Sequence, residues 1–287
     1  MKRKAIPEVV TRWLLEHDHG EVERVEIVSG GCINQALALV TTTQELFFLK
    51  VNADAPADMF ACESEGLAAL ALAGGLRIPE VFFYGNGFIL MTYLQHSSAC
   101  PNYWRLLGAG LAVIHNHSNP RFGFKGDNYI GASRQVNAWM DDGYEFFAIN
   151  RLLFQAQKAF ETGLLDVEEL RRAERIAGKL SSLIPGQPAS LLHGDLWHGN
   201  VITDSRGFPA LIDPAVYYGW AEADLAMTTL FGKFPAAFYQ AYTEQRHLEP
   251  GYEERFPIYN LYHILNHVNM FGGSYLPDAR RILEIYG

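Results

Sequence analysis

Apolar and polar positions change their period along this chain, and the change divides it in two. Residues 7–17 place Val10, Trp13 and Leu14 on one helical face, with Pro7 suited to the first helical position. Val25 to Val28 reads as a strand that ends in Ser29-Gly30-Gly31. Two further β-rich runs, Ala36-Leu37-Ala38-Leu39-Val40 and Leu46-Phe47-Phe48-Leu49-Lys50-Val51, are joined by Thr42-Thr43-Gln44, which suits a hairpin. From Asp58 a helix carrying Met59, Glu63, Leu67 and Leu70 is predicted to stop at Gly74-Gly75. Val81 to Tyr84 and Phe88 to Met91 predict two short strands around Gly85-Asn86-Gly87. After Gln95 helical periodicity dominates, over 101–118, 135–160, 166–184, 222–246 and 252–272, with a compact β-like patch from Leu191 to Ile212. The pattern predicts an α+β chain. Residues 1–94 would form a small mixed β-sheet with one helix, and residues 95–287 a larger, mainly helical part.

Composition narrows this picture. A chain of 287 residues that is 49% hydrophobic and 19% charged is an ordinary globular mix, long enough to fold without disulfide staples. The formal charge of −9 disfavours non-specific nucleic-acid binding, which needs a basic footprint. The three cysteines Cys32, Cys62 and Cys100 contain no CxxC and read as free thiols of a reducing compartment. No stretch of 18 apolar residues and no secretory h-region follow the basic Met1-Lys2-Arg3-Lys4, so a cytoplasmic protein without a membrane span is expected. Oligomeric state is left open.

The chemistry concentrates in Leu191-Leu192-His193-Gly194-Asp195-Leu196-Trp197-His198-Gly199-Asn200-Val201, followed by Leu211-Ile212-Asp213-Pro214. Asp195 and Asn200 have the D-x-x-x-x-N spacing of a kinase catalytic loop. Phosphoryl transfer needs a carboxylate to accept the hydroxyl proton, and an amide plus a second carboxylate to hold Mg²⁺ on the triphosphate. Asp195, Asn200 and Asp213 fit those roles in that order. Lys50, at the end of an apolar strand, and Glu63, on the next helix, are candidates for the phosphate-gripping cation and its partner. Gly30-Gly31-Cys32-Ile33-Asn34 would let backbone N–H groups approach phosphates. Each feature alone has a plainer reading: a hairpin turn for Gly30-Gly31, a snorkelling edge residue for Lys50, a solvated carboxylate for Glu63. His193, Asp195 and His198 could instead be Zn²⁺ ligands.

The loop from His193 to Asn200 resembles that of the fructosamine (ketosamine) kinase family, Trp197 being characteristic of that branch of the aminoglycoside and choline kinases. The resemblance continues through Gly30 to Gln35, Phe48 to Asn52, Met59 to Glu63, Phe122-Gly123-Phe124, Asn137-Ala138-Trp139, Phe146 to Leu152, Asp213 to Gly219, Glu222 to Ala226, Tyr259 to Leu265 and Phe271 to Gly273. It departs at Gly143, where an aromatic is usual, and at Phe124 to Asn128.

The resemblance implies a bilobal protein-kinase-like fold and ATP-dependent, Mg²⁺-assisted phosphorylation of a sugar hydroxyl on a ketosamine, either a small glycated amine or a glycated protein lysine. Asp195 would be the base, and Asn200 and Asp213 would hold Mg²⁺. Gly30, Gly31, Cys32, Asn34, Lys50 and Glu63 would hold the ATP phosphates, and Met91, Thr92, Tyr93 and Leu94 would meet adenine. Trp197 and His198 would face the acceptor, while His193 and Asp224 would brace the catalytic loop. Two other readings stand beside this one: a kinase for an aminoglycoside- or choline-like alcohol, and a catalytically silent nucleotide-binding relative.

Overall fold

Strict alternation in Leu46–Val51 (β3) decides how the sheet is covered. In this computed structural model, which describes residues 6–28, 34–72 and 74–287, Phe47 and Leu49 point to one face, and Phe48 and Lys50 to the other. Gly30, Gly31 and Cys32 lie outside the described residues. Five strands, Val22–Val28 (β1), Gln35–Thr41 (β2), β3, Val81–Gly85 (β4) and Phe88–Thr92 (β5), form one sheet in the order β1-β2-β3-β5-β4. The mixed sheet expected from the sequence is antiparallel in every pairing, because each neighbour is reached by a short turn or a single return.

Two helices, not one, cover this sheet. Glu8–Glu16 (α1) lays Val10 and Leu14 on Leu37, Leu39, Phe47, Leu49, Phe88 and Leu90. Met59–Leu70 (α2) packs Phe60 and Leu67 on Ile89 and Met91 from the opposite face. The alternating residues of β5 thus feed two separate apolar clusters, so sliding that strand by one residue would exchange their faces.

The rest is mainly helical around one large core. Its elements are Tyr103–His115 (α3), the short strand Ser118–Asn119 (β6), and the hairpin Asn128–Ile130 (β7) with Ser133–Gln135 (β8). Gly143–Phe147 (α4), a π-helical turn at Ala148–Leu153, Phe154–Glu161 (α5) and Val167–Leu183 (α6) follow. Ala189–Leu192 (β9) pairs with β6 and with Tyr217–Gly219 (β12), while Val201–Thr203 (β10) and Pro209–Leu211 (β11) make a separate hairpin. The chain closes with Ala221–Met227 (α7), Ala236–Gln245 (α8), Tyr252–Phe271 (α9) and Leu276–Tyr286 (α10).

Three helical expectations need correction. The stretch 135–160 begins as strand and loop, and helix starts only where Asp142 accepts the N–H groups of Tyr144 and Glu145. The stretch 222–246 is broken between α7 and α8, where Gly232 takes φ +108° and Pro235 opens the second helix. Helix α10, beyond the predicted 252–272, buries Ala279, Ile282 and Leu283. Among the described residues no helix is long and apolar enough to cross a membrane. The architecture is α+β and bilobal, a sheet lobe above a helical lobe.

Candidate active site

A cleft of about 1040 Å³ runs between the two lobes. Its roof carries Lys50, Phe48 and the strand end Met91 to Leu94; its floor carries Asp195, Asn200, Ile212 and Asp213. The ring of Tyr93 stacks over Phe48, 6.0 Å between centroids and 7° from parallel. Asn34 lines the same roof, and its Oδ1 accepts from Asn52.

Lys50 is buried, and a buried ammonium needs partners. It donates to Glu63 Oε1 at 2.5 Å and also to Asp213 Oδ1, which joins the roof to the floor. Burial alone would lower the Lys50 pKa; the charges of Asp213 and Glu63 outweigh it and hold the amine charged, above its ordinary value. Burial pushes the Glu63 carboxyl up; Lys50 opposes that, and the nearby Asp213 charge reinforces it. One cation is shared by two carboxylates. Asp213 itself holds φ +54°, a left-handed conformation that an aspartate tolerates and that re-aims its side chain at the cleft.

The catalytic-loop candidates are fixed by backbone bonds. The buried Asp224 accepts from the N–H of His193 (2.7 Å) and of Gly194 (2.9 Å), and His115 Nε2 donates to it at 3.1 Å. The Tyr242 hydroxyl meets the other nitrogen of His115 at 2.8 Å. Burial would raise the Asp224 pKa, but the His115 hydrogen bond, the two nearby imidazoles and the Gly194 N–H hold it below the usual carboxylate value. His193 uses both ring nitrogens: Nε2 donates to Ile212 O at 2.9 Å, and Nδ1 accepts from the Asp195 N–H at 3.3 Å. It therefore ties the Asp195 loop to the strand that leads into Asp213. Gly194, at φ +83°, is required twice over, since a Cβ there would stand 2.0 Å from Ala215 O.

Asp195 sits on the cleft floor. Asn200 Nδ2 donates both to its backbone oxygen (2.8 Å) and to its Oδ2 (3.0 Å). Burial pushes the Asp195 pKa up to about 7; the Asn200 hydrogen bond pulls the other way, while the charges of Asp213 and Asp224 add to the rise. A carboxylate that titrates near neutrality is poised to take a proton at working pH.

The Asn200 amide, oriented by its two donations, leaves its oxygen free to donate an electron pair, and the Asp213 carboxylate lines the same cleft. Two hard oxygen donors plus substrate phosphates suit Mg²⁺, which binds through few protein ligands and keeps its other positions for phosphate and water. The Zn²⁺ reading fails. Both His193 nitrogens are engaged, and the exposed His198 ring packs edge-on against Phe234 and Trp104, 4.5 and 5.5 Å between centroids. Among the described residues no cluster of three His, Cys, Asp or Glu side chains could hold a metal ion.

His198, expected to face the acceptor, thus packs on Phe234 and on Trp104, which lines the cleft. Trp197 does line the cleft, edge-to-face with Phe231 at 5.6 Å. Its indole folds over Gly199, where a Cβ would meet the ring at 2.3 Å. The far end of the cleft is walled by Phe231, His267, Phe271 and Tyr275, none of them singled out from the sequence as site residues. His263, His267 and Phe271 do recur at i, i+4 and i+8 along α9, which was the available signal.

Comparison with known proteins accounts for this arrangement. The fructosamine kinase family profile matches residues 7–286. A Synechocystis sp. protein described as a probable ketoamine kinase is 40% identical over 270 residues, covering 90% of this chain and 88% of its own. A chloroplastic protein-ribulosamine 3-kinase of Oryza sativa subsp. japonica is 34% identical, covering 96% of this chain and 83% of its own. A crystal structure from Thermobifida fusca, provisionally named a fructosamine-3-kinase, superposes with a TM-score of 0.87 at 29% identity, covering 98% of this chain and all of that one. The chain belongs to the fructosamine kinase family, and is a kinase that phosphorylates a hydroxyl group on a protein-kinase-like fold.

Proposed function

We propose that this protein uses ATP and Mg²⁺ to phosphorylate a sugar hydroxyl of ketosamines, on small glycated amines or on glycated protein lysines. The observation that carries the proposal is the position of Asp195. Its carboxyl, with a pKa raised to about 7, lies in one cleft with Asn200 and Asp213 and with Trp197. In this reading Asp195 accepts the proton of the attacking hydroxyl. Asn200 and Asp213 hold the metal, which when bound neutralises charge on the β- and γ-phosphates. Lys50, steadied by Glu63, grips the α/β-phosphates, and its bond to Asp213 must be exchanged when the metal takes that carboxylate. Asn34 reaches the phosphates from the roof, and Met91 to Leu94 meet adenine through backbone groups. Asp224 and His193 position the loop without touching substrate. Trp197 stacks on the sugar or its ammonium. We place the junction between lobes at 94/95 and the protein in the cytoplasm. Phosphate leaves an enolised ketosamine with the C–O electron pair more readily than hydroxide does, and hydrolysis of the imine that remains would break the C–N bond and free the amine, which supports deglycation as the outcome.

The acceptor end favours ketosamines over aminoglycosides. The carboxylates lining the cleft among the described residues are Glu63, Asp195 and Asp213, all at the phosphate end. The other end is aromatic and imidazole-walled, suited to a sugar carrying one cationic nitrogen and poorly suited to a polycation. An acceptor screen with a coupled ADP readout tests this. Turnover with ribose-, erythrose- or fructose-derived ketosamines is expected; turnover with aminoglycosides alone, or nucleotide binding with no turnover, overturns it.

A further inference from the structure

The hairpin β7–β8 touches both ends of the Lys50 arrangement while contributing neither acid nor metal ligand. Toward the sheet lobe, Tyr129 Oη donates to Asp58 Oδ1 at 2.6 Å, at the start of α2, and Cys62 Sγ donates to the backbone oxygen of Asp127 at 3.4 Å. Cys62 is the residue before Glu63. Toward the helical lobe, Asn128 Nδ2 donates to Val216 O (2.7 Å) and Gln135 Nε2 to Ala215 O (3.0 Å), three and two residues after Asp213. One short hairpin therefore spans from the segment that carries Asp213 to the helix that carries Glu63.

The hairpin is rigid at its root. The Asn128 Oδ1 accepts from both Gln135 and Asn137, and Asn137 Oδ1 accepts from the buried Arg151 at 2.7 Å. Among the described residues Arg151 has no carboxylate partner. Its guanidinium lies against the Tyr217, Phe146 and Tyr262 rings at 4.0, 4.7 and 5.5 Å, and it also donates to Val136 O at 2.6 Å. A buried cation held by neutral groups is costly to place, and here it fixes the end of the hairpin at Val136 and Asn137, and through Asn137 the first residue of β7. Further along α2, Glu65 pairs with the exposed Lys125 at 3.3 Å and Gly66 packs on Pro214 and Val216, whereas the start of the helix is tied to the hairpin by the charge-assisted Tyr129–Asp58 hydrogen bond and the weak Cys62 thiol bond.

We propose that Tyr129 and Asp58 are positioning residues for nucleotide binding. Their hydrogen bond latches α2 to the helical lobe and so keeps Glu63 against Lys50, ready for the α/β-phosphates. This inference rests on the kinase reading above but not on the identity of the acceptor. Losing the latch frees the start of α2 to swing away, weakening the grip on ATP while leaving Asp195 and the aromatic wall in place. Cys62 reports that motion, because its thiol is half-covered by the Asp127 carbonyl it bonds.

The test uses the full chain with all three cysteines intact, and alkylation of Cys62 is read on its own peptide by mass spectrometry. Tyr129→Phe and Asp58→Ala are expected to raise the KM for ATP and the Kd for Mg·AMP-PNP about three- to tenfold, the range for losing one such bond. They should leave the acceptor KM and the Tm near wild type and speed Cys62 alkylation several-fold, with Mg·AMP-PNP restoring protection. Asp58→Asn, which keeps an oxygen acceptor, should recover most of the loss, and Tyr129→Phe combined with Asp58→Ala should be no worse than either alone. Unchanged nucleotide affinity and labelling overturn the latch. Equal rises in both KM values, or loss tracking Tm, overturn it in favour of a purely structural role. Direct AMP-PNP binding remains readable even if every ketosamine fails as acceptor, so the two failures are distinguishable.

Discussion

The raised pKa of Asp195 makes the candidate base a stability liability, and Asp195→Asn exposes it. Between the ordinary aspartate value of 3.8 and about 7, the folded chain holds a proton on this group that the unfolded chain releases. Stability therefore falls as pH rises through that window, the opposite sign from a salt-bridged carboxylate. A rise from 3.8 to about 7 corresponds to at most ~4 kcal/mol at pH 8. Asparagine keeps an oxygen for the Asn200 amide but carries no charge. In metal-free, nucleotide-free protein, Asp195→Asn should match wild type near pH 4 and exceed it at pH 8 by about 1–3 kcal/mol, an increase in Tm of a few degrees. The same variant should lose about 10²–10⁴ in kcat. Paired thermal melts at pH 4, 6 and 8 check the first statement and initial rates the second. A Tm difference that does not grow with pH would refute the burial argument, and near-normal turnover would refute the assignment of the base.

Other perturbations separate the parts of the site. Asp224→Asn sets an NH₂ against one of the two backbone N–H groups it now accepts, and should cost about 3–5 kcal/mol with a parallel fall in kcat, read by urea denaturation and initial rates. Because the Asp224 pKa is held low, its stabilising contribution is full at neutral pH and is lost only as pH drops below the ordinary aspartate value. Gly194→Ala should abolish activity or folding, since its Cβ would collide with Ala215 O, whereas Gly186→Ala, with only the Tyr144 hydroxyl nearby at 3.8 Å, should be neutral. Trp197→Ala should raise the acceptor KM far more than the ATP KM; equal effects would remove the indole from the acceptor pocket.

What the sequence revealed and what it hid follow from the range of the forces involved. Lys50 stands near the end of an apolar strand, and Asp195, Asn200 and Asp213 stand within three residues of one, where polar side chains are out of place unless they have work there, and local pattern suffices to find them. The order of motifs suggested pairing Lys50 with Glu63, but the bond from Lys50 to Asp213, 163 positions away, was not legible. The hairpin β7–β8 was invisible because its strands are three residues long and are held by amide side chains reaching 88 positions away. No periodicity records such bonds. The break before Pro235 and the cap at Asp142 were present as local signals but lost against the longer helical pattern around them. His198 and Trp197, adjacent in sequence, pack on different rings, Phe234 and Phe231, which motif adjacency does not record.

The central claim is that Asp195, Asn200 and Asp213 act on one metal-bound triphosphate while the aromatic end holds a glycated amine. Phosphorus NMR of a ribulose-modified lysine peptide incubated with the protein, ATP and Mg²⁺ tests it most directly. A new phosphomonoester resonance on the sugar is predicted, absent with EDTA and absent with Asp213→Asn. ATP consumed without a sugar phosphate, or a sugar phosphate that forms as fast without divalent metal, would contradict the account.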